Sequence, residues 1–198
     1  MPQNPELKVR SLVATSNSRR RSRAVPRHRR IGRKHQVRKK CQNKRIKMLF
    51  MHFITQPHAI RIIGLELRTS NEVAMQTIPS HWQRFMAEAV MTQIEGKLSN
   101  AVYAVYTHFE NAGHNNIGQY SMIIGAQVSS QHPVPVGLCH CTVPAGPRAV
   151  FKGVRSQPER ISEIWQEVWL RTDLPKTFVA EYERYLVDGT IEVSIGLR

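Results

Sequence analysis

Residues 178–185 carry two carboxylates and a phenol at alternating positions of a predicted strand. Because successive side chains of a strand point to opposite faces, Glu181, Glu183 and Tyr185 share one face. A carboxylate in an aromatic-lined cavity must be paired, protonated or neutralised by a positively charged ligand. This face therefore predicts either the wall of a pocket that binds a cation or the solvated face of an edge strand.

Two predicted helices carry aromatic residues that could line such a pocket. Trp82 and Trp165 each lie on an apolar stripe with the period of about 3.6 residues that an amphipathic helix requires. Each helix begins with a serine followed three residues later by Gln or Glu, the spacing of a capping box: Ser80 with Gln83, and Ser156 with Glu159. Gly96 is the predicted end of the first helix. Either tryptophan could instead belong to ordinary core packing.

Strands surround these helices in the same order twice. We predict strands at 59–68, 101–110, 120–129, 136–142, 148–154, 178–185 and 191–197. The order strand–helix–strand–strand therefore occurs over residues 58–129 and again over residues 147–197. Such a duplication predicts an α/β (α+β) domain built from two similar halves, with a central ligand cleft where the halves meet.

Charge is distributed very unevenly along the 198 residues. Residues 1–50 contain 17 Lys or Arg and one acid, whereas residues 51–198 contain 12 basic and 13 acidic side chains. We therefore predict a basic, disordered arm at 1–50 and a folded domain at 51–198. The arm could bind nucleic acid, could be a targeting peptide, or could lie upstream of a true start codon at Met48 or Met51. The abrupt change in composition favours the third interpretation.

The cysteines and the hydropathy pattern exclude several classes of protein. Three scattered cysteines do not form a disulfide framework and no run of about 18 apolar residues is present, so we expect a cytoplasmic protein without membrane contact. Cys139 and Cys141 flank a histidine, but no second ligand pair has a spacing suitable for zinc. We expect two small core residues there, and neither a metal nor a cofactor.

Several motifs in a fixed order give the chain a family resemblance. They are residues 64–71, Trp82 with Phe85, residues 103–106 with Glu110, residues 120–125, residues 144–151, Ile164 with Trp165, residues 181–185 and residues 191–196. With these motifs, residues 53–198 resemble the effector-binding domain of the gyrase-inhibitor-like type, in the single-domain form found among integron cassette proteins. The same module senses drugs in some bacterial transcription activators.

The resemblance implies two strand–helix–strand–strand halves with a pocket between them for small amphipathic, often cationic, organic molecules. The family's pocket glutamate lies in a motif that matches residues 181–185, so Glu183 takes that role, whereas Glu181 is expected to be solvated. Glu192 matches an acidic position on the last strand, where Ser194 replaces the usual aromatic residue and could widen the pocket. The expected ligand-binding residues are Trp82, Phe85, Tyr106, Tyr120, Trp165, Glu183, Tyr185 and Glu192.

The favoured function is a binding module that acts as a sensor or a sequestering protein for small amphipathic cations. An alternative is a hydrolase in which Glu183 acts as general base on a bound water. The sequence contains neither a Gly-x-Ser-x-Gly elbow nor a His-Glu-x-x-His motif, which favours binding over catalysis. A weaker alternative is a nucleic-acid-associated regulator that uses residues 1–47, although no helix-turn-helix pattern precedes the domain.

Overall fold

Eight strands and three helices make up the part of the chain that the computed structural model describes, residues 50–129, 132–153, 157 and 160–198. The predicted arm before Phe50 lies outside these residues, as does the second capping pair, Ser156 with Glu159. In chain order the elements are β1 (Phe50–Gln56), β2 (Ile60–Ser70), α1 (Ala74–Ala87), α2 (Val90–Gln93), β3 (Val102–Thr107), β4 (Gln119–Val128), β5 (Cys139–Val143), β6 (Gly146–Lys152), α3 (Ile161–Leu170), β7 (Ala180–Tyr185) and β8 (Ile191–Gly196). None of these described helices is long and apolar enough to cross a lipid bilayer.

The eight described strands form one antiparallel sheet in the order β1-β6-β8-β7-β3-β4-β2-β5. This order is symmetric about the β7–β3 pair at the centre of the sheet. In each half, the strand that precedes the helix lies farther from the centre of the sheet than the two strands that follow the helix. The predicted α+β architecture with two similar halves is therefore confirmed.

Each half also has a leading strand, β1 in the first half and β5 in the second. β1 pairs with β6 and β5 pairs with β2, so each leading strand is hydrogen-bonded to the opposite half. This exchange ties the two halves together at both edges of the sheet. The sequence pattern does not predict β1, because apolar and polar side chains do not alternate along it.

The helices lie on one face of the sheet, and that face carries Glu183. Ala104, Glu183 and Val193 are cross-strand partners on β3, β7 and β8, so their side chains share a face. Ala104 packs in one apolar cluster with Phe85 of α1, and Val193 packs in another with Ile164 of α3. The two helices therefore approach the central strands from opposite halves.

The first helix begins earlier than the sequence predicts. Its first residue is Ala74 rather than a residue after Ser80, and Pro79 lies inside it. The hydroxyl of Ser80 lies 3.4 Å from the carbonyl of Gln76 and caps no helix terminus, so the capping-box prediction is wrong. The first turn of α1 contains polar residues and the exposed Met75. It therefore adds no residue to the apolar stripe by which a helix is recognised in a sequence.

The first helix also ends earlier than the predicted stop at Gly96. α1 ends at Ala87, and Ala89 adopts a left-handed conformation with φ of 48° that interrupts the helix. The short helix α2 then resumes, and Val90 and Ile94 remain buried against the sheet. The predicted apolar stripe therefore survives the break, although the helix does not continue through it.

The two cysteines lie on the sheet face opposite the helices. Cys141 is buried in an apolar cluster there, and Cys139 is half-buried at the edge of the same cluster. Burial raises the pKa of Cys139 to about 11 and the pKa of Cys141 to about 12. Both thiols therefore stay protonated at neutral pH and behave as small apolar side chains.

Candidate functional site

Glu183 lies in the middle of β7, at the centre of the sheet, and is 2% exposed. Its cross-strand neighbours on β3 and β8 are an alanine and a valine, which offer no polar group. The carboxylate nevertheless accepts three hydrogen bonds. Oε1 accepts from the Tyr106 hydroxyl at 2.8 Å and from the Trp165 indole at 2.6 Å, and Oε2 accepts from the Tyr185 hydroxyl at 2.5 Å.

Both halves of the domain contribute these donors. Tyr106 lies two residues after Ala104 on β3, and Tyr185 lies two residues after Glu183 on β7. Alternation along each strand therefore places both phenols on the face of Glu183. Trp165 comes from α3, whose apolar stripe packs against the same face of β8 and β6. The donors meet because the sheet pairs β3 and β7, one strand from each half.

Three aromatic residues donate to this carboxylate and three more rings pack in sequence against them; we call the six rings the aromatic box. Ring centroids lie 5.7 Å apart for Phe85 and Trp82, 5.2 Å for Trp82 and Tyr185, 4.9 Å for Tyr106 and Trp165, and 5.9 Å for Tyr106 and Tyr120. Their tilted or edge-to-face arrangements are the favourable geometries for aromatic pairs. The structure thus brings together seven of the eight residues expected to bind a ligand.

Two further aromatic residues extend the box, and the sequence analysis does not include them. The ring of Phe109 lies 5.7 Å from that of Tyr120, and the ring of Trp169 lies 6.5 Å from that of Trp165. Trp169 follows Trp165 by one helical turn, a spacing that places both side chains on one face and is visible in the sequence. No comparable signal marks Phe109, which follows the end of β3.

Glu192 does not join the aromatic box. Its cross-strand partner is Arg184, which alternates with Glu183 on β7, so Glu192 lies on the opposite face of the sheet. There it accepts a hydrogen bond from Nε of Arg184 at 3.1 Å and lies 3.6 Å from the ammonium of Lys152. Ser194 lies on that face too and accepts a hydrogen bond from a buried arginine. The expectations that Glu192 binds the ligand and that Ser194 widens the pocket are therefore not met.

Glu181 is buried, which contradicts the expectation of a solvated side chain. It is 5% exposed because β7 is a central strand, hydrogen-bonded on both sides, rather than an edge strand. Its Oε1 has no hydrogen-bond partner among the described residues. Burial raises the pKa of Glu181 to about 7, although Arg148 and Lys176 attract the charged form. The strand therefore places two buried carboxyl groups on the helix-covered face.

Burial and hydrogen bonding act in opposite directions on Glu183. Burial is the larger effect, so the pKa of its carboxyl group lies above the ordinary value although the three hydrogen bonds that it accepts lower it. Burial and the nearby carboxylate raise the pKa values of Tyr106 and Tyr185 well above the ordinary range, so both phenols remain protonated donors. When Glu183 is ionised, its carboxylate is a negative charge held among aromatic rings.

The rings close over Glu183 in this structure. Trp165 of α3 is half-buried and contacts the carboxylate, which is almost fully buried, so a ligand must displace side chains to reach it. An open groove of about 430 Å³ lies elsewhere, at the β1–β2 turn and the end of β4. Its lining includes Arg61 and no carboxylate. Its lining residues therefore offer no countercharge for a cation.

Replacing Trp165 by Phe should lower the free energy of unfolding by about 1–2 kcal/mol, because it removes the indole donor from Glu183 but keeps a ring. Losing that donor should also raise the pKa of Glu183 further, since the hydrogen bond lowers it. Urea unfolding at neutral pH measures the stability change. Trp169→Phe is the matched control because Trp169 is 56% exposed. An equal loss in both variants would contradict a role for the hydrogen bond.

Residues 53–193 match the profile of a protein family described as integron-associated effector-binding proteins. Comparison with curated proteins gives no match. Among solved structures, the integron cassette protein VCH_CASS2 of Vibrio cholerae is 22% identical, with a TM-score of 0.60 over 75% of this chain and 95% of its own. The protein SAV2435, solved with bound tetraphenylphosphonium, is 14% identical, with a TM-score of 0.63 over 76% of this chain and 94% of its own. At these identities the likeness shows that the fold is shared.

Proposed function

Because the chain belongs to the family of integron-associated effector-binding proteins, we propose that it binds small lipophilic organic cations in the aromatic box around Glu183. The observation that carries this proposal is a carboxylate that is 2% exposed and whose three hydrogen-bond donors are all neutral. Neutral donors hold the charge in place without cancelling it. A sensor or a sequestering protein for such cations would use a site of this kind.

A lipophilic cation would gain two kinds of interaction in the aromatic box. The rings supply apolar contact area and cation–π attraction, each cation–π contact being worth about 0.5–2 kcal/mol. Glu183 supplies a countercharge, whose attraction is stronger in a buried site than in water. A neutral ligand of the same shape would gain only the apolar contacts and would leave the carboxylate without a countercharge. The site should therefore bind a cation more tightly than a neutral ligand of the same shape.

The ligand bound by the structural neighbour is of the class that this site suits. Tetraphenylphosphonium, which SAV2435 binds, surrounds its positive charge with phenyl rings and has no hydrogen-bond donor. Three donors already occupy most of the lone-pair positions of Glu183. A cation that needs aromatic contact and a countercharge, but no further acceptor, fits that arrangement.

Catalysis with Glu183 as general base fits the geometry less well. A general base needs a lone pair directed at the proton that it removes. A carboxylate offers about four lone-pair positions, and here three accept hydrogen bonds from Tyr106, Trp165 and Tyr185. These bonds orient the group as a fixed charge, so we place binding ahead of hydrolysis.

A matched pair of ligands tests charge selection directly. Methyltriphenylphosphonium and triphenylphosphine oxide carry the same three phenyl rings on phosphorus, but only the first is a cation. We expect the cation to quench the fluorescence of Trp82 and Trp165 with micromolar affinity, and the neutral oxide to bind at least about tenfold more weakly. Equal affinity for the two compounds would count against a charge-selective site.

A further inference from the structure

We propose that Glu181 provides a second anionic position in the same site, so that the preferred ligands are organic dications. The inference rests on the proposed function, because it concerns the ligand of the aromatic box. Glu181 and Glu183 are separated by one residue on β7 and share the helix-covered face. Alternate residues of a strand are spaced by about 6.6 Å along the backbone, so the two glutamates are near neighbours on that face.

The two carboxyl groups differ in how their oxygen atoms are used. Glu183 accepts three hydrogen bonds from the aromatic box. Glu181 is 5% exposed, and its buried Oε1 has no hydrogen-bond partner in the described part of the chain. Buried polar atoms in folded proteins nearly always have a partner, so an unsatisfied one calls for an explanation. A second positive centre on the ligand would provide that partner.

The charged and titratable groups around Glu181 are engaged with other atoms. Lys176 donates to a backbone carbonyl at 2.6 Å. Arg148 donates to a serine hydroxyl and to two backbone carbonyls. Tyr106, the cross-strand partner of Glu181, donates to Glu183 instead. Lys176 and Arg148 attract Glu181 through space, but the hydrogen bonds of both are directed elsewhere.

Propidium and ethidium test this inference, because they share one phenanthridinium ring and only propidium carries a second quaternary ammonium on a short alkyl chain. We expect the full chain at pH 8 to bind propidium about tenfold more tightly than ethidium. In Glu181→Gln the two affinities should become equal within about twofold, because propidium binding should weaken more than ethidium binding. In Glu183→Gln both ligands should bind more weakly.

A second measurement uses the unmodified protein and does not depend on how a variant folds. The preference for propidium over ethidium should increase between pH 6 and pH 8, because burial raises the pKa of Glu181 to about 7. The ratio of the two affinities cancels the ionisation of Glu183, which acts on both ligands. Glu183, Tyr106, Lys176 and Arg148 are also present in both titrations. Any change in their ionisation therefore acts on both ligands.

The outcomes separate this inference from the proposed function. If ethidium binds as expected but propidium binds no more tightly, Glu181 is not a second anionic position. The same conclusion follows if Glu181→Gln still prefers propidium. Neither result affects the proposed function. A preference that does not change between pH 6 and pH 8 also contradicts a second anionic position at Glu181. If ethidium binding is instead the same in Glu183→Gln as in the unmodified chain, the proposed function itself is wrong.

Discussion

Replacing Glu183 by Gln is expected to weaken the binding of methyltriphenylphosphonium by about 10- to 100-fold, which corresponds to roughly 1.5–3 kcal/mol for a contact with a charged group. The substitution removes the countercharge and keeps the rings of the aromatic box. Titration of tryptophan fluorescence at pH 8 measures the effect. The loss should appear as weaker affinity with an unchanged number of sites.

The fold should tolerate this substitution, because the hydrogen bonds around Glu183 can be kept. The amide oxygen of Gln can accept from Tyr106 and Trp165, which both donate to Oε1. The amide nitrogen can donate to the hydroxyl of Tyr185, which can reverse its role because a phenol both donates and accepts. A reduced affinity in Glu183→Gln would therefore report the charge and not a collapsed site.

An exposed acid on the same domain provides the matched control. Glu95 is exposed in the segment after α2, and Glu95→Gln changes the net charge of the chain by the same amount. We expect its affinity for methyltriphenylphosphonium to stay within about twofold of the unmodified protein, because water and salt screen an exposed charge. If the two variants lose affinity equally, the attraction comes from the net charge and not from a site at Glu183.

Replacing Glu181 by Gln is expected to stabilise the fold by about 3 kcal/mol at pH 8. Burial raises the pKa of Glu181 to about 7 from an ordinary value of 4.5. In the folded protein this acid therefore keeps its proton over a range in which the unfolded chain has already released it. Stability of the unmodified protein should consequently fall as the pH rises from about 4.5 to about 7. Gln cannot ionise, so the variant avoids this loss.

The pH dependence distinguishes this effect from a general change in packing. Urea unfolding should show a gain of about 3 kcal/mol for Glu181→Gln at pH 8 and less than about 1 kcal/mol at pH 5, where the carboxyl group is protonated in the folded state. Glu95→Gln should show no such difference between the two pH values. A gain of the same size at both values would mean that ionisation of Glu181 is not the cause.

β7 shows what alternation can predict and what it cannot. Strand periodicity is a local property, so the sequence correctly places Glu181, Glu183 and Tyr185 on one face. Whether a strand is central or at an edge depends on its neighbours, and here these are β3 and β8, one of them far away in the chain. The burial of Glu181 follows from that pairing and was therefore missed.

Two other errors have different physical causes. The face of Glu192 is set by the register in which β8 pairs with β7, and a shift by one residue would reverse it. A family resemblance supplies the residue type at a position but not this register. The predicted start of α1 is too late because Ser80 and Gln83 have the spacing of a capping box, whereas here both lie inside the helix.

The arrangement around Glu183 could be predicted in part. Helix stripes and strand alternation predict Trp82, Trp165 and Tyr185 near the cleft between the two halves, whereas the family resemblance supplies the other aromatic positions. The three hydrogen bonds could not be predicted, because they depend on Tyr106 and Trp165 reaching one carboxylate from different halves of the domain. Such convergence is a property of the tertiary structure and leaves no spacing in the sequence.

A crystal structure with bound tetraphenylarsonium would test the central claim most directly, because arsenic can be located by its anomalous scattering. The account predicts an anomalous peak within the aromatic box, about 4–6 Å from the carboxylate of Glu183, with the rings of Trp82 and Trp165 separated around the ligand. A peak in the groove beside Arg61, and none near Glu183, would contradict it.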